Sequence, residues 1–364
     1  MGLFTAERAA QLGARVAVVE QGRIGDPLTA SFGRTRSFRN DYLDAAYARL
    51  AHEAYRLWGE FERRTGTEVL VRCGCLNLAK RTVTPDVDAT YAQRTHEKLL
   101  ALGLPTEALD RDALGARYPD LDVDLGRLDP EAGVVDVGAV TAGLTRALDE
   151  LGVDVYEGAG FRPGDIAARA LVVTAGHGTN DVLAGLDGCD LQVPISRDRP
   201  SEAKYLIPPA GARERFTAER MPVLAYLDTG IYCHPIVDGL VDAVKIGYYN
   251  PPDVERGTTP ITDIAGFVEE CLPGLRDAEV RDVEDVDQCD YDLVDDDDFV
   301  LGAIPGVANA YVGVGWRGTG YKFAPWVGRV LAGLAVQEGT VYDIARFDPG
   351  RFQEVGHDAA AAAV

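Results

Sequence analysis

The sequence predicts an α/β (α+β) chain of two domains, one built on helix-linked parallel strands and one on an antiparallel sheet. Three observations carry this. A short helix and a strand ending in an acid open the chain. A run of strands with tight turns fills residues 191–290. A strand, a glycine-rich loop and a helix follow near the end. With 364 residues, two domains of ordinary size are expected. With 46% apolar and 26% charged residues, the chain can bury a full core.

Charge excludes several partners. The chain has 58 acidic and 36 basic side chains, a net −22, which repels phosphate backbones and anionic lipid. Nucleic acid and membrane surfaces are therefore not expected as partners. No run of 18 apolar residues occurs, and no basic stretch with an apolar core opens the chain. A cytoplasmic monomer or small homo-oligomer is expected. The six cysteines are scattered, and Cys73-Gly74-Cys75 lacks the spacing of a zinc knuckle. No histidine sits in a metal-binding frame.

The opening is the most diagnostic stretch. Leu3, Ala6, Ala9 and Ala10 fall near helical spacing, and Gly13 stops the helix. Arg15-Val16-Ala17-Val18-Val19-Glu20 reads as a buried parallel-type strand. Helix plus acid-ended strand is the second half of a dinucleotide-binding unit, with Gly2 as its last glycine and Glu20 placed for a ribose hydroxyl. The unit's first strand and first two glycines are expected upstream of Met1, roughly ten to fifteen residues.

Ser31 to Arg39 is a polar loop with three arginines in six residues. Leu43, Tyr47, Leu50, Ala54, Leu57, Trp58 and Phe61 mark an amphipathic helix over 43–64. Short strands are expected at 69–71 and 76–78, then a helix from Tyr91 to Leu100 among polar turns. Val134 to Asp136, a helix over 138–151 and Val153 to Val155 repeat a β–α–β pattern. Ala170 to Gly176 is a strand ending in a small-residue turn that lets a backbone approach a ligand.

Strands are then expected at 204–207, 223–227, 231–234 and 244–249. Asp290 to Asp298 reads as a solvated acidic loop. Tyr311 to Val314, the loop Gly315 to Lys322 and a helix from Pro325 to Leu334 close the pattern, aiming N–H groups and a helix dipole at a ligand. The expected division gives residues 1–78, 131–188 and 297–347 to a discontinuous nucleotide-binding domain. Residues 79–130 and 189–296 form the substrate domain, and 348–364 a tail.

Seven motifs then occur in order. They are Val18-Val19-Glu20, Gly33-x-Thr35-Arg36-x-x-Arg39 followed by Tyr42, Gly74-x-Leu76, and Val173-x-Ala175-Gly176. Lys245-Ile246-Gly247-Tyr248, Cys289-x-Tyr291 and Gly318-x-Gly320-Tyr321-Lys322-Phe323 follow. In this series, from Gly2 to about Phe347, the sequence resembles the monomeric sarcosine oxidase and N-methyltryptophan oxidase group. These are FAD-dependent amine oxidases of the D-amino-acid-oxidase-like superfamily.

The resemblance implies FAD as cofactor, held by Gly2, Glu20, Gln21, Ser31, Thr35, Arg36, Ala175, Gly176, Gly318, Thr319, Gly320 and Lys322. It implies a thioether from Cys289 to FAD. Arg36 would lie at the reactive face of the flavin, while Arg39 and Lys322 clamp a substrate carboxylate. Tyr232 matches an active-site tyrosine, and Lys245 a lysine whose fixed charge assists reaction with oxygen. Phe32, Thr319 and Tyr249 stand where the family has or can have histidine, which implies a more apolar pocket and a substrate larger or more hydrophobic than sarcosine. The implied reaction removes a hydride equivalent from the carbon beside a secondary or N-substituted amine of an α-amino acid. Imine and hydrogen peroxide result. Another flavoenzyme of the superfamily, such as an Amadori-product oxidase or a dehydrogenase, and a non-catalytic protein on the same fold remain open alternatives.

Overall fold

Caps and glycines set the element boundaries. The computed structural model describes residues 1–27, 29–196, 202–248, 263–282 and 291–353. Cys289 and Tyr249, and the expected tail beyond residue 353, lie outside the described residues. The first half of the chain contains α1 (Gly2–Gln11), β1 (Ala17–Glu20), β2 (Thr35–Phe38), α2 (Ala45–Thr65), β3 (Leu70–Val71) and β4 (Cys75–Ala79). Then come α3 (Tyr91–Leu102), β5 (Glu107–Asp110), α4 (Arg111–Arg117), β6 (Leu125–Asp129), β7 (Gly133–Asp136), α5 (Val137–Glu150) and β8 (Asp154–Glu157). The second half holds β9 (Leu171–Val173), α6 (Thr179–Leu183), β10 (Glu202–Ile207), β11 (Val223–Tyr226), β12 (Ile231–His234) and β13 (Val244–Tyr248). It closes with α7 (Ile264–Cys271), β14 (Glu279–Asp282), β15 (Val300–Ala303), β16 (Ala310–Val314) and α8 (Ala324–Ala335). Among the described residues, no helix is long and apolar enough to cross a membrane.

Helix α2 shows the local logic. The Asp44 carboxylate accepts from the N–H groups of Ala46 and Tyr47 at 2.8 and 3.1 Å, satisfying donors that a helix start leaves open. Gly66 ends the helix in the left-handed region, φ 64°. Asp136 caps α5 in the same way through Ala139 N–H at 2.9 Å.

The described strands form four sheets. The largest runs β14-β10-β13-β12-β11-β4-β6-β5 and is antiparallel except where β11 lies parallel to β4. Strand β4 belongs to this sheet, paired with β6 on one side and β11 on the other. A second sheet pairs β1 with β8 in parallel, and a third runs β15-β16-β9. The fourth, β2-β7-β3, is antiparallel.

Three expectations change here. Strand β1 is not buried: Ala17 is exposed and the next three residues are half-buried, because β1 pairs on one edge only and faces a cavity. The β–α–β reading at 134–155 does not hold as one sheet, since β7 joins β2 and β3 while β8 joins β1. The polar turns expected beyond Leu100 contain β5, α4 and β6. Arg127 and Asp129 sit fully buried in β6, so its sequence does not read as a core strand.

One core lies on the large sheet around Leu76, Phe216, Leu224 and Phe267. A second binds α1, α2 and α8 through Phe4, Trp58, Phe61 and Trp326. The ring of Phe4 meets that of Trp58 edge-on at 5.2 Å. Helix α1 also lies directly on α8 at Gly328, where an added Cβ would stand 2.6 Å from Phe4 Cβ and 2.7 Å from its carbonyl carbon.

Of the expected solvated loop at 290–298, the described residues 291–298 are instead heavily paired. Asp298 accepts from Tyr47 at 3.1 Å and from Arg346 at 2.6 Å, and Asp296 accepts from Arg351 at 2.6 Å. Asp292 is buried and ties down the loop between β16 and α8. Its Oδ2 accepts from Gly315 N–H at 3.0 Å, and its carbonyl from Arg317 N–H at 3.2 Å. That loop needs anchoring, because Gly315, Arg317 and Gly318 all adopt positive φ (77°, 58° and 67°) and Arg317 has a Cβ to accommodate.

Two outcomes follow from these contacts. Burial pushes the Asp292 carboxyl up to about 6. The folded chain then binds more protons than the unfolded one between the ordinary carboxylate range and pH 6. Stability from this group is complete below that window and lost as pH rises through it. Asp292→Asn keeps an acceptor, and is expected to be more stable above pH 6 by about 2 kcal/mol, with a flatter profile; denaturant titrations from pH 4 to 8 measure it. Gly328→Ala gains up to ~1 kcal/mol of helix propensity. Against it stands about 1–3 kcal/mol of overpacking on backbone that cannot yield. Thermal unfolding should therefore show a net loss.

Candidate active site

One cavity of about 2680 Å³ collects the candidate residues. Single-ligand pockets are typically about 300–1,000 Å³, so this one suits a long, dinucleotide-sized group together with a smaller molecule. At one end lie Glu20 and Gln21, where β1 stops. Glu20 Oε1 accepts from Gly22 N–H at 3.0 Å, and Glu157, from the end of β8, accepts from Ile24 N–H at 2.6 Å. The turn after β1 is thus held by two carboxylates, of which Glu157 was not anticipated.

The start of α1 faces the middle of the cavity. Gly2 permits this, since a Cβ there would stand 2.7 Å from Thr174 Oγ1 at the end of β9. Ala175 and Gly176 form the turn that follows, Gly176 with φ 54°. Free N–H groups at a helix start favour a phosphate there.

Ser31, Thr35 and Arg36 continue the wall. Arg36 donates to the carbonyls of Phe32, Ala30 (3.2 Å) and Thr35 (3.1 Å), which folds the loop around its guanidinium. It lies over the Tyr321 ring at 5.9 Å. Gly318, Thr319, Gly320 and Lys322 close the wall from the other side. A Cβ at Gly318 would sit 2.6 Å from the Tyr291 ring, and one at Gly320 2.4 Å from Trp316 Cβ, so only glycine lets the loop lie this close.

The large sheet forms the end wall. Tyr232 and His234 alternate with Cys233 on β12 and face the cavity, and Lys245 on β13 pairs in register with His234. A Cβ at Gly247 would stand 2.4 Å from Tyr232 Oη, so this glycine seats the Tyr232 ring flat on the sheet. Lys245 is only 2% exposed, so its ammonium is held inside the protein.

Arg39 and Lys322 bring two cations into the same interior. Lys322 Nζ donates to Tyr42 Oη and to the Thr319 carbonyl, both at 3.0 Å. Burial lowers the pKa of the Lys322 ammonium, with Arg39 adding to the effect and Tyr42 opposing it. Burial alone would raise the Tyr42 phenol; Lys322 and Arg39 outweigh it and hold the phenol below its ordinary range. A phenol held down by two cations marks surplus positive charge, the environment a carboxylate ligand seeks.

Every candidate residue named from the sequence except Cys289, which lies outside the described residues, lines this one cavity. Sequence reasoning missed His234, whose Nδ1 is 2.9 Å from Thr35 Oγ1 and whose ring is 5.4 Å from that of Tyr232. The two-residue strand period from Tyr232 was the available signal. An imidazole thus enters the cavity wall from the sheet, beside Lys245.

Comparison with known proteins agrees with this geometry. A family model described as "FAD dependent oxidoreductase", of the DAO family, matches residues 1–334. The peroxisomal sarcosine oxidase of Homo sapiens is 27% identical, over 98% of this chain and 94% of that protein. The N-methyl-L-tryptophan oxidase of Yersinia pestis (strain Pestoides F) is 25% identical, over 95% of each. Among solved structures, L-proline dehydrogenase from P. horikoshii superimposes with a TM-score of 0.77 at 20% identity, covering 97% of this chain and 95% of that one. With a long cavity walled by glycines and a helix start, and a match over nearly the whole chain, the protein belongs to the DAO family of FAD-dependent oxidoreductases.

Proposed function

We propose that the protein oxidises an N-substituted α-amino acid at the carbon beside its amine, giving an imine and hydrogen peroxide. The observation that carries this reading is the pair of cations, Arg39 and Lys322, on the cavity wall around Tyr42. Arg39 and Lys322 present cationic groups to the cavity, and an α-amino acid carries the carboxylate that such groups bind.

FAD, when bound, supplies the acceptor for the hydride equivalent. The residues present fit it: Glu20 and Gln21 for the adenosine end, the α1 start at Gly2 with Ala175 and Gly176 for the pyrophosphate, and Ser31, Thr35, Arg36 and Gly318 to Gly320 for the flavin. Arg39 and Lys322 orient the substrate carboxylate, a fork and a point charge from opposite walls. Tyr232, seated on Gly247, and His234, bonded to Thr35, offer polar atoms toward the substrate amine. Lys245 holds a fixed charge where oxygen is to be reduced, and Phe32 and Thr319, standing on the cavity wall where the family has or can have histidine, favour a substrate larger or more hydrophobic than sarcosine. In this reading Cys289 forms a thioether to FAD.

The test is anaerobic flavin bleaching followed by oxygen uptake, with N-methyl α-amino acids and the matching amines lacking the carboxylate. Bleaching and peroxide from the acids alone are expected; equal reduction by the bare amines would sink the carboxylate site. Lys245→Met should slow the oxygen step by about a hundredfold while anaerobic reduction persists. If oxygen uptake is absent from the unmodified enzyme, the protein is a dehydrogenase instead. Acid precipitation addresses the cysteine separately. A yellow pellet that turns colourless in Cys289→Ala is expected, and colour left in the supernatant removes the thioether.

A further inference from the structure

Behind Arg39 the two domains share a group of charges that the reaction itself does not use. Asp41 and Arg127 are fully buried, and the Arg127 Nη1 donates to Asp41 Oδ1. The other oxygen, Asp41 Oδ2, lies 3.7 Å from Arg39 Nη1, which also donates to the Asp41 carbonyl at 3.3 Å. One carboxylate thus faces two guanidinium groups, one per oxygen. Arg127 is fixed in turn by Asn40 Oδ1 at 2.5 Å and Thr106 Oγ1 at 2.9 Å. Asp129, the other acid here, accepts from Asn40 N–H at 2.9 Å, and burial pushes it up to about 7.

The arithmetic of charge decides what this does. A lone carboxylate beside Arg39 would cancel its charge and compete with any incoming anion for it. With Arg127 on its far side, Asp41 is shared between two guanidinium groups, so it cancels less of the Arg39 charge while holding Arg39 in place.

We propose that Arg127 and Asp41 are positioning residues: Asp41 orients Arg39, and Arg127 balances Asp41, so that Arg39 stays charged for a substrate carboxylate. This rests on the carboxylate-binding reading above.

Sodium acetate and uncharged acetamide, titrated into the FAD-loaded enzyme and followed by the flavin spectrum, test it. Arg127→Gln frees Asp41 to close on Arg39, and acetate affinity is expected to fall at least tenfold while acetamide is unaffected. Arg127→Lys keeps the charge but loses the bonds to Asn40 and Thr106, and should stay within about threefold of the unmodified enzyme. Adding Asp41→Asn to Arg127→Gln removes the competing anion and should restore affinity to the same range. Should Arg127→Gln not fold, the lysine variant and the double variant, neither of which leaves an unbalanced buried carboxylate, carry the test alone. Unchanged acetate binding in Arg127→Gln overturns the proposal, as does a tenfold loss in Arg127→Lys or no recovery in the double variant. An unmodified enzyme that does not prefer acetate to acetamide brings down the carboxylate site itself, and the proposal with it.

Discussion

Lys322 carries the arrangement on which the site depends. An ammonium this far from water is costly to hold, and each of its contacts comes from a different part of the chain. Its Nζ reaches Tyr42, just after β2, and the Thr319 carbonyl in its own loop, while its backbone carbonyl accepts from Trp58 Nε1 of α2 at 2.8 Å. The glycine loop is thereby pinned to the long helix and to the arginine-bearing strand. Asp292 completes the anchoring from the far side of the loop. The cavity keeps its shape because these bonds fix the loop that no regular sheet ladder supports.

The second constraint is the meeting of the domains. The Thr35–His234 hydrogen bond joins residues 199 positions apart, one on the nucleotide side and one on the large sheet. Thr35, His234, Tyr232 and Lys245 all line the cavity, so the same contact that joins the two sides also shapes this part of its wall. Asp41 and Arg127 make the corresponding join behind Arg39. Buried polar contacts of this kind specify one docking geometry in a way that apolar contact does not.

Much of this was legible in the sequence. Helix α2 declared itself through its apolar stripe, and β10 to β13 through short β-rich runs. The glycine loop was readable from Gly318-x-Gly320 ahead of a helix. What stayed hidden involves polar residues inside the core. Arg127 and Asp129 make β6 look like a turn, and Asp292 looks like part of an acidic surface loop. Their burial depends on partners such as Asn40, Asp41 and Gly315 that are distant or separate in sequence, and no local period reports such pairing. His234 stayed hidden for a different reason: it lies on β12, far in sequence from Phe32 and Thr319, and only the two-residue strand period ties it to the Tyr232 face.

The packing of α1 on α8 has a consequence for how the protein is made. Phe4 leaves the ribosome early, whereas Gly328, against which it closes, is synthesised more than three hundred residues later. Strand β9 likewise waits for β16. Helix α1 can meet Trp58 and Phe61 of α2 early, but its side that closes on α8 stays uncovered until α8 is made, while the large sheet between them in sequence is assembling. Such long-range closure is slow and exposes the nascent chain to aggregation. The cavity wall shared by the start of α1 and the glycine loop is therefore complete only once α8 has docked.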